Sequence, residues 1–76
     1  MEVHVARGIV YAEHGETSYR FDLRRPETQV EMVGRPGDAH WAVRFPRRHL
    51  EPFVIDGSMV NAEEFVEKLR EFRPDL

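Results

Sequence analysis

Val60-Asn61-Ala62-Glu63-Glu64-Phe65-Val66-Glu67-Lys68-Leu69-Arg70-Glu71-Phe72-Arg73-Pro74 is the one stretch of this chain that repeats its apolar residues at helical spacing. Phe65, Val66, Leu69 and Phe72 share one face, and charged residues cover the rest. Asn61 is suited to cap the first turn, with Glu64 three residues on and Val60 just before it. Pro74 cannot continue a helix, so the spacing predicts one over about 62–72.

Everything upstream of that helix alternates with a period of two. Residues 2–12 read as one long strand with odd positions apolar, interrupted only by Arg7 before Gly8. Gly15 can supply the positive φ of the hairpin turn that follows. Residues 17–25 point Tyr19, Phe21 and Leu23 one way and Ser18, Arg20, Asp22 and Arg24 the other. Residues 28–34 put Val30 and Met32 inward and Gln29 and Glu31 outward. Pro36 and Gly37 then fit a type II turn. Residues 39–45 give Trp41, Val43 and Phe45 to the core and His40, Ala42 and Arg44 to the other side. Pro46 to Pro52 reads as a loop, and residues 53–55 as a short fifth strand before Asp56-Gly57.

The expected fold is α+β: a single antiparallel sheet of four to five strands, meander-like, followed by one C-terminal α-helix packed on one face, as one small domain over 1–76. One helix covers one sheet face, so the other must be solvated, covered by a second copy, or used for binding.

Composition narrows the functions. With 76 residues and Cys 0, the chain has no disulfide, thiol nucleophile or thiolate metal site. A domain this small has a thin margin of stability, which a second copy can widen. No run approaches the length of a membrane span, and the first residues lack the pattern of a signal peptide. A cytoplasmic protein with no membrane contact is the expectation.

The formal net charge is −3, distributed as +1 over residues 1–50 and −4 over residues 51–76. Ten of the eleven basic residues are Arg, whose planar fork suits carboxylates and phosphates. On a single sheet, Arg20, Arg24, His40 and Arg44 would share the wet face, with Arg47 and Arg48 in the next loop. They are the candidate contacts for a nucleic acid. The core parity of Tyr19, Phe21, Trp41 and Phe45 leaves that face without rings for bases to stack on, so nucleic acid is the alternative rather than the favoured partner.

Glu63, Glu64, Glu67 and Glu71 make the exposed helix face acidic, a candidate surface for a protein partner. Tyr11 and Trp41, near strand ends, are the candidate contacts of a homodimer. No HExxH, GxSxG or phosphate-binding glycine loop is present, and Glu13, His14 and Glu16 read as a polar turn. No cofactor, metal or catalytic residue is expected. The order of strands then helix resembles, in architecture alone, the four-strand-then-helix unit of Whirly single-strand-binding proteins. The favoured reading is a small non-enzymatic module that binds another protein, as a homo-oligomer.

Overall fold

A computed structural model of the chain describes residues 2–76. Six strands precede one helix: β1 Glu2–Ala6, β2 Ile9–His14, β3 Thr17–Asp22, β4 Glu31–Val33, β5 Ala42–Arg47, β6 Leu50–Asp56 and α1 Ala62–Arg70. They form two antiparallel sheets, β1-β2-β3 and β4-β5-β6. The α+β class holds; the single sheet of four to five strands does not.

The expected strand over 2–12 is two strands. Arg7 and Gly8 have φ of 54° and 82° and close a two-residue hairpin between Ala6 and Ile9. Positive φ at both central positions is what a type I′ turn requires. The turn also explains a change of parity: Val3 and Val5 face inward on β1, whereas Val10 and Ala12 do so on β2, paired directly across. Gly15 closes the next hairpin at φ 62°, as expected.

The expected loop over 46–52 is instead the meeting of β5 and β6 around Arg48 and His49, with His49 at φ 63°. Phe45 pairs with Phe53 and Arg47 with Leu50, so Glu51 and Pro52 together oppose Pro46 in a bulge. Proline has no N–H to give a ladder, and the bulge places both prolines where the pairing is already interrupted. The fifth strand is therefore Leu50–Asp56 rather than 53–55. The turn at Pro36 and Gly37 forms as read: Gly37 has φ 98°, and Asp38 N–H donates to the Arg35 carbonyl at 3.0 Å.

The two sheets pack face to face. Phe21 of β3 stacks on Phe45 of β5, and Tyr19 lies against Phe53 of β6, each pair with centroids 4.4 Å apart. Each sheet is the cover for the other's inner face, which is how a short chain buries two apolar surfaces with one core. This replaces the expected one-sided layer, and with it the likeness to a four-strand sheet carrying a helix. The helix closes the remaining side of the core through Phe65, Val66 and Leu69, with Phe65 edge-on to Trp41.

Asn61 caps α1, its side chain accepting from the Glu64 N–H at 3.3 Å. The helix ends at Arg70, before the expected 72, and beyond it the Phe72 and Arg73 N–H groups share the Leu69 carbonyl. That turn sends the Arg73 guanidinium to the segment after β3, where it donates to the carbonyls of Leu23, Arg25 and Thr28 at 3.0, 2.8 and 2.8 Å. Those carbonyls line the bend that carries the chain from the first sheet to the second. No helix is long and apolar enough to cross a membrane among the described residues.

Candidate functional site

Splitting the sheet redistributes the arginines. With Val10 and Phe21 inward, the outer face of β1–β3 carries the cross-strand row His4, Tyr11 and Arg20. With Val43, Phe45 and Ile55 inward, the outer face of β4–β6 carries Glu31, Arg44 and Val54 in one row. Arg20 and Arg44 thus lie on opposite outer surfaces of two layers. The shared basic face expected from a single sheet is not present.

Of the remaining members of that set, Arg24 and Arg47 are engaged locally. Arg24 grips Asp22 with a two-pronged contact, 2.9 Å from each nitrogen, and Arg25 adds its charge at 3.8 Å. The Arg24 side-chain hydrogen bonds lower the Asp22 carboxyl from its ordinary 3.8 to about 2, so it stays ionised and offsets the arginines beside it. Arg47 sits 5.5 Å over the Tyr19 ring and donates to the Glu51 carbonyl at 2.8 Å, closing the edge of the core. His40 is exposed in the turn before β5, and Arg48 is exposed in the β5–β6 turn.

Glu63, Glu64 and Glu67 are exposed on the helix and Glu71 is exposed at its C-cap, with Glu64 3.6 Å from Lys68 one turn on. Glu63 borders an open cleft of about 680 Å³ between the Gly37–Ala39 turn, the Asp56–Ser58 turn and the start of α1. The acids beside it serve those turns. Asp38 accepts from the Arg35 N–H, and Asp56 accepts from the Ser58 N–H and hydroxyl, which lowers its pKa. No group of three or more His, Asp or Glu is placed to hold a metal ion among the described residues.

Of the two expected dimer contacts, Trp41 is only 2% exposed and belongs to the core, so it cannot form an interface without unfolding. Its indole N–H is buried without a hydrogen-bond partner among the described residues. Tyr11 does reach the surface. It stands on the outer face of β1–β3, stacked on His4 at 5.0 Å with planes 16° apart and with Arg20 as its partner on the other side. Reading β1 and β2 as one strand gives Tyr11 the parity of Val3 and Val5, and the Arg7–Gly8 hairpin turns it to the opposite, outer face.

Val33 and Val54, on the other outer face, are the residues missed on the sequence. Val33 and Val54 are 45% and 39% exposed on β4–β6, where no other element of the described chain lies over them. Glu31 and Arg44 face each other across β4 and β5 between these valines, yet neither takes part in an ion pair among the described residues. Period-two parity already puts Glu31 and Arg44 outward. Val54 escapes notice because it stands in an unbroken apolar run, Phe53-Val54-Ile55.

Comparison with known proteins gives no match among family models, curated proteins or solved structures.

Proposed function

We propose that this chain is a small non-enzymatic interaction module whose docking surface is the outer face of β4–β6, and that a second copy is the partner this face fits. The observation that carries the reading is the unpaired Glu31–Arg44 couple flanked by exposed Val33 and Val54. A patch with an acid and a base side by side is complementary to itself under a two-fold axis: Glu31 of each copy meets Arg44 of the other, and the valines meet between them. A three-stranded face is narrow, about 10 Å between its outer strands, so the contact belongs with weak, concentration-dependent interfaces.

Charge reversal tests this. Sedimentation of the parent should show a monomer–dimer equilibrium, which Arg44→Glu or Glu31→Arg shifts to monomer by setting like charges opposite each other. The double reversal, Glu31→Arg with Arg44→Glu, restores the complementarity and should restore the dimer. A parent that stays monomeric at high concentration, or single reversals that leave the dimer intact, would remove the reading.

One observation favours a second reading, nucleic-acid binding on the opposite face. Half-buried Tyr11 beside Arg20 supplies a ring on the outer face that a single-stranded partner would stack on. Retention of single-stranded DNA or RNA at low salt, lost in Tyr11→Ala and in Arg20→Ala, would support it; no retention in the parent would end it.

A further inference from the structure

We infer that the free edge of β1, walled by helix α1, accepts an extended peptide as an added strand. This surface is separate from the outer face of β4–β6, and it rests on which way the backbone of β1 points.

The hairpin at Arg7 and Gly8 makes Ala6 and Ile9 the first pair, and His4↔Tyr11 and Glu2↔Glu13 follow at every second residue. In an antiparallel ladder these are the pairs that exchange N–H and C=O groups. The Leu23 N–H donating to the Gly8 carbonyl at 2.7 Å confirms the phase: even residues from Gly8 onward address β3, and odd ones address β1. The N–H and C=O groups of Val3 and Val5 therefore point away from β2. β1 has no second neighbour in its sheet, and neither residue makes a turn, cap or side-chain hydrogen bond among the described residues. Two donors and two acceptors stand ready at the spacing of alternate strand residues.

What lies beside that edge separates it from an ordinary exposed strand. Val3 and Val5 turn their half-buried side chains toward the core, and a cleft of about 200 Å³ lies between them and Met59, Val60, Phe65 and the Glu64–Lys68 pair. Residues directly opposite across a ladder share a face, so ligand residues bonded to Val3 and Val5 send their side chains into this cleft, against Val3, Val5, Met59 and Phe65. The ligand residue between them, opposite His4, points to the wet face. The fitting ligand is thus an extended segment reading apolar, polar, apolar, held by main-chain bonds with the cleft choosing the side chains. The edge of β3 offers no such choice: its free groups belong to Ser18, Arg20 and Asp22, whose side chains are on the outer face.

The helix also decides the occupant. It forms the far wall of the cleft, so a second copy bringing β1 to β1 would bring its own helix against this one. A single extended chain meets no such obstacle.

The test is an NMR titration of the ¹⁵N-labelled protein with the blocked peptide acetyl-Thr-Val-Thr-Val-Thr-amide. Binding should slow hydrogen exchange at the Val3 and Val5 amides, which exchange freely beforehand, and move the resonances of residues 59–68. Val5→Pro removes an outward N–H while sparing the bonds to β2, and it should weaken binding about tenfold or more. If Val5→Pro lowers the melting temperature, Val3→Pro makes the same test at the other residue. No protection at Val3 and Val5 with saturating peptide, or equal affinity in the folded proline variants, overturns the proposal. Protection that rises with protein concentration alone also overturns it, by making a second copy the occupant. Failure at this edge leaves the charge-reversal result for β4–β6 untouched.

Discussion

Phe21 stacks on Phe45 with ring centroids 4.4 Å apart and planes 14° from parallel, and this contact joins the two sheets. Phe45 is fully buried between Phe21 and the rest of the core. Removing its ring takes away both the apolar area and the bridge between layers, so Phe45→Ala should cost about 3–5 kcal/mol. Against the roughly 5–15 kcal/mol of an ordinary domain that is a large share. Phe45→Leu keeps most of the volume and should cost about 1–2 kcal/mol. Urea unfolding of the three proteins gives both values.

Arg73 holds the bend between the sheets through three backbone carbonyls, each some 45 to 50 residues away in sequence. Hydrogen bonds from a charged donor are worth about 1.5–3 kcal/mol each where they are sheltered, and less here because part of the guanidinium meets solvent. Arg73→Ala should lose about 2–3 kcal/mol in all. Arg73→Lys, with one cation but no planar fork, should recover less than half of it. Hydrogen exchange should show the loss first at residues 23–30 and at the end of α1.

Gly8 is required twice over. Its φ of 82° is disfavoured for other residues, and a β-carbon there would stand 2.9 Å from both the Phe72 ring and the Arg24 side chain. Gly8→Ala should therefore destabilise by about 1–3 kcal/mol. The share of the ring can be separated, because Phe72→Ala in the same chain relieves the ring contact and leaves the backbone strain and the Arg24 contact. A double-mutant cycle should show Gly8→Ala costing less when Phe72 is already Ala.

These contacts mark where local pattern stops carrying information. The helix was legible because Phe65, Val66 and Leu69 repeat at its period and Asn61 caps it. So were β3 and the inward faces of Trp41, Val43 and Phe45, where alternation is unbroken. The hairpin at Arg7–Gly8 was not, because an arginine in the left-handed region lacks the Asn or Asp signal of a type I′ turn. Its trace was the switch of inward residues from Val3 and Val5 to Val10 and Ala12. The pairing of β5 with β6 hid behind Pro46 and Pro52, which are read as breakers until the bulge explains them. The Arg73 contacts with the bend after β3 and the stacking of Phe21 on Phe45 join residues far apart in sequence, which periodicity does not encode. The candidate surfaces followed the strands: once the sheet divides, Arg20 and Arg44 part, and Tyr11 changes sides.

Trp41 sets two effects against each other. Its indole is buried against Phe65, but the N–H has no acceptor among the described residues. An unpaired buried donor costs about 1–3 kcal/mol, and a phenyl ring lacks that donor while losing some contact area. Trp41→Phe should hence leave stability within about 1 kcal/mol of the parent, whereas Trp41→Ala should lose about 3–5 kcal/mol. As the sole tryptophan, it should also fluoresce with the same buried emission in monomer and dimer, because the proposed interface does not touch it.

Asp22 ties stability to acid. Its carboxyl titrates near 2 in the folded chain, chiefly through the Arg24 hydrogen bonds, against an ordinary 3.8. A carboxylate with a depressed pKa stabilises the fold where it is ionised in both states, and that contribution is lost as protons add preferentially to the unfolded chain. It is whole above pH of about 4 and falls away as pH drops through about 2. Asp22→Asn should be less stable than the parent at neutral pH, with the difference shrinking across that window. The pair is exposed, so added salt should narrow the gap at neutral pH as well. Thermal melts of the two proteins from pH 7 to pH 2, at low and high salt, measure both trends; a gap that stays constant on acidification would show that Arg24 does not hold this carboxylate.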